Sequence, residues 1–314
     1  MADLYLITGG AGFIGSNLAE ALARDGERVR IFDNFSTGTR ENLVALGDRV
    51  EIVEADLRDF DAVRRAMQGV TRVAHQGALR SVERSVDDPL SSDAVNVQGT
   101  LHILQAAREN GVKRVVYASS SSVYGDTEVL PKREDLTPAP ISPYAVSKLA
   151  AEHYCRVFSR LYGVETVSLR YFNVFGPKQR PESQYAAVIP LFLRQAFAGE
   201  PLEIHGDGEQ SRDFTYIDNV VDANRLSLTT PGIAGEVFNV ACGDRHSLLD
   251  IARIFGGFMG KELPLRHIEP RRGDVRHTQA SIDRIVSKTG YQPAVGFEDG
   301  LRKTYEWFKS QRKS

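Results

Sequence analysis

At 314 residues and a formal net charge of -2, the chain is long enough for one large α/β unit or two linked ones, and it carries no electrostatic footprint for nucleic acid. Hydrophobic residues at 42% and charged residues at 25% are the proportions of an ordinary soluble globular protein, not a disordered or fibrous one. No apolar run reaches the length of a membrane span, no basic leader is expected before the first strand-like run, and Cys155 and Cys242 lie far apart, neither joining a histidine in a paired metal-ligand motif. A membrane protein, a disulfide scaffold and a metal site are therefore disfavoured, and a cytoplasmic enzyme or binding protein is expected.

In chain order, β-branched runs at 4–8, 28–33, 50–56, 72–76, 114–120 and 164–172 read as strands. Helix-like segments Ile14–Arg24, Ala62–Met67, Val95–Asn110 and Tyr144–Tyr162 fall between them. This alternation predicts an α/β fold, a Rossmann-type doubly wound parallel sheet covered on both faces. The Gly/Pro/polar stretch 173–183 reads as a loop. Beyond it follow a helix over Ala186–Phe197, a strand over 201–206, a helix capped by Asp218 and a strand over 236–241. We expect a dinucleotide-type domain at 1–174, completed by segments around 213–241, and a smaller C-terminal substrate domain at 175–314.

The first strand runs directly into "TGGAGFIGSNL", with glycines at 9, 10, 12 and 15. Such glycines allow a tight turn, let backbone N–H groups approach a pyrophosphate and let the next helix pack with its positive end toward it. Asp33, at the end of the second strand, stands where a carboxylate binds the adenosine ribose hydroxyls and repels a 2′-phosphate, which favours NAD over NADP. Arg40 lies near enough in sequence to leave NADP open. Far downstream, "SPYAVSK" places Tyr144 and Lys148 four apart, on one helix face, a spacing that packing or chemistry would equally produce.

With these features the chain resembles the extended short-chain dehydrogenase/reductase family. Further motifs carry the likeness over nearly the whole chain: "EADLRD" (54–59), "HQGA" (75–78), "NVQGT" (96–100), "ASSSSVYG" (118–125), "LRYFNVFGP" (169–177), "GDGEQSRDFTYIDNV" (206–220) and "PRRGDVRHT" (270–278). Within the family it is most similar to UDP-sugar 4-epimerases, especially the bacterial branch acting on UDP-N-acetylhexosamines. The resemblance implies Tyr144, Lys148 and Ser120 as the catalytic residues. It implies a cofactor site of Gly9, Gly12, Phe13, Ile14, Gly15, Asp33, Asn34, Ser36, Gly38, Asp56, Leu57, Gln76, Gly77, Ala78, Asn96 and Tyr171, shared with Tyr144 and Lys148. It also implies a homodimer, with Val95–Asn110 and Tyr144–Tyr162 as the contact.

A free tyrosine has a pKa of about 10 and is a poor base at neutral pH unless its anion is stabilised. Lys148 and the positive nicotinamide are expected to do so; a shift of three units corresponds to roughly 4 kcal/mol of differential interaction. Where related 4,6-dehydratases carry an Asp-Glu pair after the catalytic hydroxyl, this chain has Ser121 and Ser122, so elimination lacks an acid. Transient oxidation at carbon 4 needs none.

For a UDP sugar the resemblance places Arg212 and Arg271 on the diphosphate with Asn173 beside them, His205 against uracil, and Ser81, Ser120, Val188 and Asp274 in the same pocket. Arg80 meets either a phosphate or a sugar carboxylate, so a UDP-uronate 4-epimerase remains an alternative. A catalytically silent NAD-binding sensor is a second, of a different class, and it would need none of Tyr144, Ser120 and Lys148. Thr278 stands where a bulky tyrosine restricts related enzymes to plain hexoses; a small residue leaves room for an N-acetyl group.

Overall fold

The computed structural model describes residues 3–180, 187–269 and 275–312. Six strands come from the first half: β1 (Leu4–Thr8), β2 (Arg28–Asp33), β3 (Val50–Glu54), β4 (Arg72–His75), β5 (Arg114–Ser120) and β6 (Glu165–Tyr171). With the strand Glu236–Val240 they form one seven-stranded sheet in the order β3-β2-β1-β4-β5-β6-(Glu236–Val240), parallel throughout. The doubly wound fold is thus present, and the last strand is supplied by the distal half of the chain.

Composition explains the placement. The inner strands are near-continuous apolar runs, buried on both faces as a helix-covered parallel sheet demands; every residue of β1 is buried. Edge strand β3 is mostly half-exposed or exposed, and its Glu51 and Glu54 pair with Arg30 and Arg40. Such charges blunt an unpaired edge.

The helices begin and end where local chemistry allows. Pro143–Tyr162 starts at Ser142, whose hydroxyl accepts the Ala145 N–H at 3.2 Å, carries Pro143 in its first turn, and stops at Gly163 with φ 71°. Phe60–Ala66 begins earlier than apolar spacing predicts because the Asp59 carboxylate caps it. The segment expected as one helix over Val95–Asn110 is a wide π turn at Ala94–Gln98 followed by an α-helix at Gly99–Glu109. Asp218 is not a cap: Ile217–Thr229 starts at Tyr216 with no side-chain cap, and Asp218 sits in its first turn, 3.5 Å from Lys303.

In the C-terminal half, Leu202–His205 pairs in parallel with Leu265–Ile268. Helices Val188–Ala198, Leu248–Met259 and Phe297–Gln311 surround this pair, and one buried apolar cluster runs from Ile7 and Val116 in the sheet to Phe255 and Leu301. The predicted helix over Ala186–Phe197 is observed from Val188; its first residue lies outside the described residues. Both cysteines are free thiols, Cys155 buried. Among the described residues no helix is long and apolar enough to cross a membrane, and no three His, Cys, Asp or Glu side chains are grouped to hold a metal.

Strand order reverses between β1 and β4, so a crevice opens at their carboxyl ends, the place where such sheets bind ligands. Both the glycine loop after β1 and the segment after β4 feed into it.

Candidate active site

The glycine loop is fixed by its own close packing. Gly9 has φ 64°, and a Cβ there would lie 2.7 Å from the Gly77 Cα; a Cβ on Gly15 would lie 2.3 Å from the Gly9 carbonyl oxygen. Neither position accepts a side chain without moving backbone. The helix Phe13–Arg24 begins at Gly12 with no side-chain cap, which leaves its first-turn N–H groups facing the crevice unclaimed by a side chain. Asp33 grips the same loop: its carboxylate accepts the Ala11 N–H at 2.9 Å and the Phe35 N–H at 2.8 Å. Burial raises its pKa, and these two bonds act against the rise.

One cleft is lined by Gly9, Gly12, Phe13, Ile14, Gly15, Asp33, Asn34, Ser36, Asp56, Leu57, Gln76, Gly77 and Ala78, so the structure brings these expected cofactor residues together. Asn34 donates to Asp56 at 2.9 Å and accepts from the Ser36 hydroxyl at 2.7 Å, and the Arg58 guanidinium holds Asp56 well below the usual carboxylate range. Gly38 backs the loop instead, since a Cβ there would meet Ala11 at 2.7 Å. Asn96 also sits behind the cleft: its amide binds both backbone groups of Leu79, at 2.8 and 3.0 Å, and donates to Ser147. The Tyr171 hydroxyl is shared with Gln76 and Asn224. Arg40 stacks over the Phe35 ring at 4.3 Å and forms an exposed pair with Glu54.

His75 was passed over in the sequence because it closes a strand. It is 1% exposed, with Thr8 Oγ1 2.6 Å from Nδ1 and Thr100 Oγ1 3.0 Å from Nε2. Thr100 donates its proton to the Asn96 carbonyl, so it accepts from Nε2–H; Nδ1 is then the acceptor for Thr8, which in turn accepts the Gly77 N–H. Burial drives the imidazole pKa down to about 3, with Lys148 adding to the fall, so the ring stays neutral at neutral pH.

Ser120 ends β5, and Tyr144 and Lys148 face it from the helix Pro143–Tyr162. Both the N–H and the hydroxyl of Ser122 donate to Ser120 Oγ, at 3.2 and 2.9 Å. The Ser120 proton is thereby left for the Tyr144 phenol, with which it hydrogen-bonds. Tyr144 is half-buried, yet desolvation raises its pKa, against which the Ser120 bond and the Arg80 cation act. Lys148 is 3% exposed, donates to the Ala118 carbonyl at 2.8 Å and lies 5.9 Å from the Tyr144 ring centre. Burial brings its pKa down to about 7. Arg80 is thus a second cation near Tyr144, beside Lys148 under the ring. Arg80 lines the cofactor cleft and reaches solvent there.

A second cavity is lined by Asn173, Val188, His205 and Arg212, together with Phe175, Gln210, Phe214 and Leu248. Arg212 donates to the Ser211 and Arg276 carbonyls at 2.9 and 3.0 Å, and His205 Nδ1 lies 2.9 Å from the Glu269 carbonyl. Asn173 has φ 30°, a conformation L residues disfavour, and its amide reaches the Asp213 carbonyl at 3.4 Å and Thr278 Oγ1 at 3.5 Å. Ser81 caps the helix Val82–Asp87, its hydroxyl accepting the Arg84 N–H. Arg271 and Asp274 lie outside the described residues.

A Gly-rich loop at a sheet switch point, an acidic residue ending β2 and a Ser–Tyr–Lys group beside the cleft define a short-chain dehydrogenase/reductase of the extended type. The family model "NAD dependent epimerase/dehydratase family" matches residues 5–241, and the chain belongs to that family. It is 37% identical over 310 residues to the UDP-glucose 4-epimerase of Mycolicibacterium smegmatis, covering 98% of each chain. Among solved structures it superposes with TM-score 0.94 and 38% identity on a UDP-N-acetylglucosamine 4-epimerase from Methanobrevibacter ruminantium in complex with UDP-N-acetylmuramic acid, covering 99% of this chain and 100% of that one. A UDP-glucuronic acid 4-epimerase from Bacillus cereus, in complex with UDP-glucuronic acid and NAD, matches with TM-score 0.91 and 33% identity over 98% and 99% of the two chains. The cofactor is NAD, and the glycine cradle, the uncapped helix start and the Asp33 carboxylate fit it.

Asp33→Ala should erode the preference for NAD over NADP, because the carboxylate is what repels a 2′-phosphate. Titration of apoprotein with both dinucleotides tests this, and an unchanged preference would count against the role given to Asp33.

Proposed function

We propose that this protein is a UDP-sugar 4-epimerase that interconverts UDP-GlcNAc and UDP-GalNAc as well as UDP-glucose and UDP-galactose by transient oxidation at carbon 4. The observation that carries the reading is the convergence of Ser120 and Lys148 on Tyr144 at the end of β5, beside the NAD cleft. NAD, when bound, takes a hydride from carbon 4 and later returns it. Tyr144 removes the 4-hydroxyl proton as that hydride leaves, Ser120 hydrogen-bonds the reacting oxygen, and a 4-keto sugar results. After the ketone turns over in the pocket and receives hydride on its other face, Tyr144 gives the proton back, so atoms and charge balance. With Ser121 and Ser122 where a dehydratase needs carboxylic acids, the keto sugar has no acid to expel its 6-hydroxyl.

The second cavity supports the substrate placement we propose. Arg212 and Asn173 serve the diphosphate, with Val188 and His205 in the nucleotide slot. Thr278 sits in an extended stretch beside the bridge Ser211–His277, its hydroxyl 3.5 Å from the Asn173 amide, and on this reading the small threonine spares the volume that a phenol would take from an N-acetyl group. A second reading, a UDP-uronate 4-epimerase, is favoured by Arg80, a cation in the cleft that is felt by Tyr144.

A homodimer is part of this reading, and exposed apolar side chains support it. Val146, Tyr154, Val157 and Leu161 are exposed along one side of Pro143–Tyr162, and Val86 and Leu90 are exposed on the helices before it. Gly99–Glu109, expected to share the contact, exposes no large apolar side chain. Exposed apolar side chains along one helix side are what a contact between copies would use. Leu161→Asp should yield monomers by light scattering; an unchanged mass for both proteins would remove this face as the contact.

Tyr144→Phe should abolish turnover while NAD and UDP-sugar binding persist, since it deletes one proton-carrying oxygen and little volume. Full activity in this variant would end the mechanism. A panel of UDP-glucose, UDP-GlcNAc and UDP-glucuronate decides among sugars, with uronate turnover alone selecting the second reading. Overfilling a packed site costs on the order of 1–3 kcal/mol, or roughly tenfold to a hundredfold in rate. Thr278→Tyr should slow the N-acetyl pair by about that factor and spare the plain hexoses; equal loss on both would show that Thr278 is no gate.

A further inference from the structure

Asp213 is fully buried, at 0% exposure, between two residues that line the second cavity, Arg212 and Phe214. Its carboxylate holds three backbone donors from two distant segments. Oδ1 accepts the Cys242 N–H at 3.0 Å, and Oδ2 accepts the Gly243 N–H at 3.0 Å and the Ala280 N–H at 3.1 Å. Its own carbonyl receives the amide of Asn173. Two residues before Ala280 stands Thr278, whose N–H donates to the Ser211 carbonyl at 3.0 Å. The residue therefore sits where the loop of Arg212, the turn after Glu236–Val240 and the segment of Thr278 meet.

We propose that Asp213 is a positioning residue whose ionised carboxylate ties the Arg212 loop to the Cys242–Gly243 turn and the Thr278–Ala280 segment, and that tight binding of a UDP sugar requires this tie. The proposal rests on the UDP-sugar reading above and deepens it, by naming what joins the diphosphate end of the site to the sugar end. A carboxylate can accept all three N–H groups, whereas a carboxylic acid or an amide turns a donor toward at least one of them. An unmatched buried donor then loosens the loop.

Burial pushes the Asp213 carboxyl up to about 7, the three N–H bonds pull it down, and Asp244 adds to the rise. Among the described residues the other titratable or charged groups around it are Cys242 and Asp244 in the turn, Tyr291 beyond Asp283–Thr289, Arg212 on its own loop, and His277, whose Nδ1 meets Ser211 Oγ at 2.9 Å. The anion is the binding-competent form, so affinity should fall as pH drops through this range.

The test is calorimetric binding of UDP-glucose to NAD-loaded enzyme carrying Tyr144→Phe, which prevents turnover, between pH 6 and pH 8. A single group titrating near 7 gives about a tenfold weaker affinity at pH 6 than at pH 8. Adding Asp213→Asn should weaken binding about tenfold at pH 8 and flatten the pH dependence, with NAD content unchanged. In otherwise wild-type enzyme the same substitution should raise KM and leave kcat within about twofold, a split that general destabilisation would not produce. His277→Gln should leave the pH dependence in place. Flat binding across pH in the parent, a dependence that survives Asp213→Asn, or one that vanishes with His277→Gln would each overturn the proposal while the UDP-sugar reading stands. Absence of UDP-glucose binding at every pH would overturn that reading and the proposal with it.

Discussion

The arrangement at the end of β5 depends on one buried ion pair. Glu152 follows Lys148 by four residues and Tyr144 by eight, so all three project from one face of the same helix. Its carboxylate takes the Arg170 guanidinium of β6 at 2.6 and 3.0 Å and the Ser119 hydroxyl of β5 at 2.9 Å, and both ionic side chains are 3% exposed. Arg170 also lies over the Tyr124 ring at 4.8 Å, and Tyr124 donates to Asn239 of the last strand. The pair thus pins the helix carrying the base to the strand carrying Ser120, through the residue next to it. Replacing such a pair by apolar residues is often neutral, but removing one partner typically costs about 3–5 kcal/mol because the other is left charged and dry. Registry is therefore the better account of what it contributes than net stability.

The cofactor side is held by the same kind of device. From Gly77 a directed series of hydrogen bonds runs through Thr8, His75 and Thr100 to the Asn96 carbonyl, while the Asn96 amide clamps Leu79. Every member has its partner and every proton a direction. Such a network rigidifies the segment after β4, which passes within a Cβ's reach of Gly9. Asp213 repeats the pattern on the substrate side with three N–H groups on one carboxylate.

What the sequence made legible is local. The glycine loop, Asp33 and the Tyr144–Lys148 spacing each sit within a few residues of the element that positions them, and the alternation of strand and helix sufficed for the sheet. Partners distant in sequence were not legible. Thr8 and His75 are 67 residues apart, and Asp213 and Ala280 likewise 67. A histidine ending an apolar strand and an aspartate in a polar loop look ordinary in a short window, and only the fold reveals that each gathers several segments. The same limit moved Asp218 from a cap to an ion pair, and it put Asn96 and Gly38 behind the cleft. Strand Glu236–Val240 shows the converse: its β-branched, aromatic run is readable, but its place beside β6 is fixed by tertiary pairing across 65 or more residues of chain.

The site is built against the grain of stability, and the sign of its ionisations shows where. Lys148 has a folded pKa of about 7 against an ordinary 10.5. Between those values the unfolded chain holds a proton that the native chain lacks, so stability rises with pH across that window, and below about 7 the full penalty of burying the ammonium is in force. Three and a half units amount to on the order of 5 kcal/mol. His75, neutral to about pH 3 against an ordinary 6.5, adds a penalty of the same sign as pH falls below 6.5. Asn173 adds backbone strain at φ 30°. The ammonium and the strain fall on residues given chemical or binding roles and the buried His75 on the network behind the cofactor segment, whereas the Glu152–Arg170 pin shares the helix of Lys148 and ties it to the apolar sheet. A fold with a large continuous core can carry such costs, and the placement of the pin one turn below Lys148 sets the buried ammonium against the structure best able to keep it there.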